Sequence, residues 1–302
     1  MAYSLRVGDV KISVIAESVA PLLKWQEIHP DATETAIRDA QSARNQKIFD
    51  SSTGKLVIAI QGFLLETKDR SIMIDTCVGD CKARARPEFD RAEFGWVQRL
   101  RTLGIDLGKV DTVVSTHLHV DHVGCNTYSL NGKWAPTFPN ARYVFVEEEV
   151  AFWESELAGS PLERTGDYIS DSIRPLFEQG VAEIVPPSYA ISQEVRLLHL
   201  PGHTPGHVGV VVESNNERAI LSGDLFHSAL QCENPAWNTR FCVDPDVAQR
   251  SRRDFFEAHC GSNTVVIPAH FPFPCAGYIR RSGDTYAFEF LESTRISLLT
   301  EA

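Results

Sequence analysis

The chain has 302 residues, a formal net charge of -11, seven cysteines, and hydrophobic residues making up 43% of its length. That length can bury a sizeable core, and no Ser/Gly-rich linker or charge block divides it, so a single domain over residues 1–302 is expected. The acidic balance argues against a nucleic-acid partner, because a phosphate backbone would be repelled unless basic residues were clustered. The basic stretches Lys82 to Arg91 and Arg250 to Arg253 are short, diluted by acids, and read as solvated helix faces.

The opening residues, Met1 to Asp9, lack the sustained apolar core of a signal peptide, and no apolar run approaches transmembrane length. The cysteines at 77, 81, 125, 232, 242, 260 and 275 form no even framework, so free thiols and a reducing compartment are expected. A cytoplasmic location without membrane attachment follows as the default. Residues about 15–52 are the least readable part. Asp31 to Lys47 is a polar stretch of helical propensity with an N-cap at Asp31 or Thr33, which suits either an N-terminal arm or lid over a site, docking of a second subunit in a homodimer, or a plain surface helix.

Further along, strand-like runs alternate with the helical segments Glu93 to Leu103, Glu147 to Leu157 and Asp246 to His259, which suggests sheets flanked by helices. After the apolar run Val110 to Val114 comes Thr116-His117-Leu118-His119-Val120-Asp121-His122. In an extended segment His117 and His119 project to one side while Leu118 and Val120 turn inward, so two imidazoles converge on one ion. If the chain turns at Asp121, that carboxylate and His122 diverge toward a second ion.

Three more strand ends deliver ligand-type side chains. In Leu200-Pro201-Gly202-His203-Thr204-Pro205-Gly206-His207 the Pro and Gly residues fix a tight turn around His203. Ala219 to Gly223 ends on Asp224, and Thr264 to Ala269 ends on His270. Asn234 to Phe241 follows Asp224 and offers Trp237 as a pocket wall and Arg240 as an anion clamp, or both as ordinary loop anchors.

The order HxHxDH, PGHTPGH, SGD and PAH resembles the metallo-β-lactamase-fold hydrolases, from the Ile72-Met73-Ile74-Asp75-Thr76 strand to His270, and within them the branch of quorum-quenching lactonases and methyl-parathion-type hydrolases. The resemblance implies an α/β fold, a four-layered αββα sandwich. It implies two divalent metal ions, one held by His117, His119 and His203, the other by Asp121, His122 and His270, with Asp224 bridging. Zinc suits this nitrogen and carboxylate set, and manganese, iron or cobalt are also accepted.

It further implies a bridging hydroxide as nucleophile, and Asp121 close enough to it to pass a proton to the leaving group. A small ester-like substrate follows, a lactone or carboxylic ester ahead of a phosphotriester; an iron-dependent redox enzyme is the alternative of another class. Asp75 matches an Asp that orders the metal site from outside, but Cys77 stands where the family pattern has glycine. His227 occupies the place of a substrate-binding Tyr of the lactonases, where it could hydrogen-bond the substrate or simply pack. His207, His199, His29 and His259 read as structural.

Overall fold

In the computed structural model, which describes residues 1–43, 48–155 and 159–300, two large sheets lie face to face. In chain order the strands are β1 (Ala2–Val7), β2 (Val10–Lys24), β3 (Phe49–Asp50), β4 (Lys55–Glu66), β5 (Ser71–Ile74) and β6 (Thr112–Val114). A separate hairpin of β7 (Thr127–Leu130) and β8 (Lys133–Pro136) follows, then β9 (Arg142–Val146) and β10 (Ala182–Val185). The second half contributes β11 (Val195–His199), β12 (Val208–Ser214), β13 (Glu217–Gly223), β14 (Val265–Pro268), β15 (Gly277–Ser282), β16 (Thr285–Phe290) and β17 (Ser297–Leu298).

The first sheet runs β10-β9-β6-β5-β4-β2-β1-β17, with β3 paired to β4; the second runs β11-β12-β13-β14-β15-β16. Period-two alternation sends the first sheet's side chains to two different cores. Phe63, Ile72, Ile74, Val114 and Val144 meet the second sheet, against Val210, Leu221 and Val266. Leu64, Met73, Val113, Tyr143 and Phe145 point the other way, onto Trp96, Leu100, Val150 and Leu176 from helices Trp96–Thr102, Glu147–Trp153 and Arg174–Glu178. The helix Pro245–His259 covers the second sheet, and Phe256 reaches Tyr286 of β16 at a ring separation of 5.4 Å. The four layers are therefore helix, sheet, sheet and helix, as expected.

The helices fall close to their expected places. Asp244 caps Pro245–His259, its Oδ1 accepting from the Val247 N–H at 2.9 Å, with proline at the first turn. Of the two caps offered for the N-terminal helix, Glu34–Ala43, Thr33 is the one used; its Oγ1 accepts from the Ala36 N–H at 3.2 Å. The last four residues expected in that helix, 44–47, lie outside the described residues, as do 156–158 at the end of the Glu147 helix.

Two expectations are corrected. Residues 15–24 are not arm but the second half of β2, paired to β4 from Ile15↔Gly62 to Lys24↔Lys55, with register shifts at Ala16/Ser18 and Pro21/Leu23. The stretch Lys82 to Arg91 is no helix face. Lys82 and Arg84 are buried against Asp171, with Arg84 Nη1 2.6 Å and Lys82 Nζ 3.3 Å from its carboxylate. Among the described residues no helix is long and apolar enough to cross a membrane, and no disulfide joins the cysteines.

Candidate metal centre

Seven ligand-type residues from distant parts of the chain meet at one end of the sandwich. β6 stops at Val114, and the chain bends through His117 before the short helix Val120–Val123 begins, with His119 as its extended N-cap. Leu118 and Val120 turn into the core as the alternation requires, which leaves both imidazoles on the other side. His203 arrives from the Pro/Gly loop between β11 and β12, Asp224 from the end of β13, and His270 two residues after β14.

His119 Nδ1 lies 2.9 Å from His117 Nε2 and 2.9 Å from His203 Nε2, so three imidazole nitrogens face one point. Ions bound tetrahedrally at about 2.0 to 2.1 Å separate neighbouring nitrogens by about 3.3 Å, close to this spacing. These three and Asp224 form one potential ligand group, and Asp121, His122 and His270 form another. Asp224 touches both: its Oδ2 is 3.2 Å from His203 Nε2 and 3.1 Å from His270 Nε2, and its Oδ1 is 3.3 Å from His122 Nε2. Buried His122 Nε2 and Asp224 Oδ1 have no hydrogen-bond partner among the described residues, which costs free energy unless a cation satisfies them.

The protonation states suit a cation. Burial pushes His117 and His119 well below the usual imidazole range, and His203 down to about 3, keeping their nitrogens available as lone-pair donors. Burial also opposes charge on His122, yet Asp224, Asp75 and Asp121 outweigh it and push that imidazole well up. Asp224 resists the upward push of burial because the imidazoles of His270, His122, His227 and His117 hold it well below the usual carboxylate range. The cluster attracts positive charge at its second group, and the donor set of five imidazoles and two carboxylates fits divalent metal ions.

A surrounding shell fixes the rings. Asp75 Oδ2 accepts from His122 Nδ1 at 2.8 Å, and the same carboxylate accepts from the Thr116 N–H and hydroxyl, both at 2.8 Å. The Cys77 departure from glycine is accommodated with φ +59 at a fully buried position, an uncommon conformation for a side-chain-bearing residue. His270 Nδ1 donates to the Ala59 carbonyl at 2.8 Å, and His203 Nδ1 lies 3.7 Å from Cys242 Sγ. Both ring nitrogens of His207 are engaged within the protein: its Nδ1 donates to the Leu200 carbonyl and its Nε2 accepts from the Asp224 backbone N–H. His199 bonds the Pro205 carbonyl, His29 the Ser228 hydroxyl, and His259 packs on Phe255.

His227 belongs to the cluster. Its Nε2 is 3.1 Å from Asp224 Oδ2, its ring stacks on His270 at 5.2 Å, and its buried Nδ1 has no hydrogen-bond partner among the described residues. An apolar cavity opens over Asp121, His227 and His270, walled by Leu22, Leu23, Ile28, Ile58, Phe89 and Phe241 and edged by Arg86 and Arg164. Trp237 and Arg240 are not among its lining residues. Trp237 packs with Ile28 and Leu230 behind the wall, and Arg240 faces Glu27 at 3.9 Å and lies over the ring of Phe241.

Sequence reasoning missed the cavity's cations and also Glu149, a buried carboxylate that accepts from the Leu118 N–H and Trp153 Nε1, both at 2.8 Å. Its place in the run Glu147-Glu148-Glu149 at a helix start looks like ordinary dipole compensation.

The sequence profile of the Metallo-beta-lactamase superfamily matches residues 59–258. The chain belongs to that superfamily. It is 23% identical over 171 residues to an N-acyl homoserine lactonase of Bacillus sp, covering 53% of this chain and 60% of that protein, so it spans less than two thirds of that relative's length. It is 29% identical over 206 residues to the N-acyl homoserine lactonase AttM of Rhizobium radiobacter, covering 67% of this chain and 72% of AttM. In fold it is similar to the hydrolase AbOPH (TM-score 0.81, 22% identity, 96% of this chain and 97% of that one). It is likewise similar to AidC, a dizinc quorum-quenching lactonase solved with the product N-hexanoyl-L-homoserine (TM-score 0.77, 20% identity, 96% and 97%).

Proposed function

We propose that this chain is a dinuclear metal-dependent hydrolase that opens a lactone or carboxylic ester, with zinc as the favoured metal. His117, His119 and His203 would hold one ion, Asp121, His122 and His270 the other, and Asp224 both. The observation that carries this reading is the position of Asp224, whose two oxygens reach imidazoles of both groups at 3.2 and 3.3 Å. When bound, two such ions supply a water-derived nucleophile at neutral pH and offset the negative charge that grows on the substrate.

The chain's own residues do the rest. Asp121, which lines the cavity with a side chain 21% exposed, would carry a proton to the leaving oxygen. His227, facing the same cavity, would donate a hydrogen bond to the substrate's carbonyl oxygen. The leucine, isoleucine and phenylalanine walls exclude water and favour an apolar acyl or alkyl arm. The lactonase relatives favour lactones as the first class to try. A hydrolysis screen of lactones, aryl esters, β-lactams and phosphotriesters on zinc-, manganese- and cobalt-loaded protein tests this reading. Turnover of a lactone or ester that falls by several orders of magnitude in Asp224→Ala supports it; exclusive phosphotriester turnover, or near-wild-type rates in Asp224→Ala, overturns it.

A further inference from the structure

Building on the reading of this site as an ester-opening centre, we propose that its substrate ends in a carboxylate at the far end of an apolar arm, and that Arg164, assisted by Arg86, recognises it. The residues lining the cavity combine three kinds of chemistry: the Asp121, His227 and His270 cluster, aliphatic and aromatic side chains, and the two arginines. The Ala85 N–H donates to the Thr165 carbonyl at 3.1 Å, which sets the segments carrying Arg86 and Arg164 side by side.

The two arginines differ in what they already have. Arg86 is paired with Glu88 and lies over the Phe89 ring at 5.6 Å, so its charge is partly matched. Arg164 has no acidic partner among the described residues, although the chain as a whole carries 40 Asp and Glu against 29 Lys and Arg. A guanidinium with no acid beside it among the described residues, next to an apolar wall in so acidic a protein, is a site of locally reversed potential. A carboxylate presented to the exposed Arg164 gains charge-assisted, bidentate hydrogen bonds. A chain ending in methyl gains none.

The test uses two matched aryl esters, one of decanoic acid and the other a monoester of decanedioic acid, with the metal-loaded full chain. The carboxylated ester is expected to show kcat/KM about tenfold higher or more, as one charge-assisted hydrogen-bond pair supplies. That ratio should fall to about one in Arg164→Ala, reverse in Arg164→Glu, and shrink at high salt. No preference in the wild type, or an unchanged preference in Arg164→Glu, overturns the proposal while leaving the hydrolase reading intact. If neither ester is turned over, the lactone arm of the hydrolysis screen tests the hydrolase reading separately. Equilibrium binding of decanedioic acid monoamide against decanamide then decides: tighter binding of the carboxylated amide that Arg164→Glu abolishes supports the role of Arg164, and equal binding of the two overturns it.

Discussion

The Glu149 carboxylate accepts a hydrogen bond from the Gly206 backbone N–H at 3.0 Å while its other oxygen accepts from the Leu118 N–H at 2.8 Å. One buried side chain thus ties the loop that carries His117 and His119 to the loop that carries His203. A Cβ at Gly206 would come within 2.3 Å of the Glu149 backbone nitrogen, so the approach is available to glycine alone. Glu149→Ala is expected to weaken metal binding by about 10- to 100-fold, the range seen when outer partners of ligands are lost. Glu149→Gln, which keeps one acceptor oxygen, should fall between. Chelator competition, with circular dichroism as a check on folding, measures both.

Metal stoichiometry should be close to two ions per chain. His122→Ala or His270→Ala should leave about one, because the group of His117, His119 and His203 stays intact. Elemental analysis of purified variants settles the count; a single ion in the wild type with no second binding event on titration contradicts a dinuclear site.

His227 can be separated from its neighbours by paired substitutions. Loss of one donor to a developing oxyanion typically lowers kcat by about 10²-fold or more, so His227→Phe should do so with metal content unchanged. His227→Tyr should retain part of the rate through its phenol. Full activity in both variants with only a change in Tm would assign His227 to packing.

Glu17 gives a pH dependence of stability. Burial pushes its carboxyl up to about 8, against the pull of the Val78 and Gly79 N–H groups at 3.1 and 3.0 Å. A folded-state value above the unfolded one means that the stabilisation is complete below the ordinary glutamate range and is lost as pH rises through about 8. Thermal unfolding from pH 5 to 9 should therefore show the wild type losing Tm relative to Glu17→Gln as pH rises; parallel curves would contradict it.

The buried triad of Lys82, Arg84 and Asp171 is expected to respond asymmetrically. Asp171→Ala strands two cations whose side chains are 1% and 0% exposed, a change that costs about 3 to 5 kcal/mol for buried pairs. Adding Arg84→Met to that background should restore part of the loss. Urea denaturation of the single and double variants checks the coupling.

The ligand-type residues are legible because each sits either within one short motif or at the end of an apolar strand, where local periodicity aims the side chain. His117 and His119 need only two residues of alternation, and Asp224 needs only the run Ala219 to Gly223. The surroundings were not legible, because they are made by contacts remote along the chain. Glu149 meets Gly206 across 57 positions, and Lys82 and Arg84 lose the look of a solvated face only when Asp171, 87 positions beyond Arg84, is folded against them. The anion clamp expected at Arg240 belongs to a loop whose neighbour Phe241, not the arginine, lines the cavity. Nothing in the local sequence distinguishes those two orientations.

The end of β13 carries a constraint on how this protein can change. Gly223 has φ +53, and a Cβ there would lie 2.5 Å from His207 Nε2, the atom that accepts the Asp224 N–H. Any larger residue at 223 must displace the imidazole that holds the backbone of Asp224. Any smaller residue at 207 leaves that N–H without an acceptor. The two positions are therefore coupled: a change at either disturbs the backbone beneath Asp224, whereas the side chains of the cavity wall make neither contact.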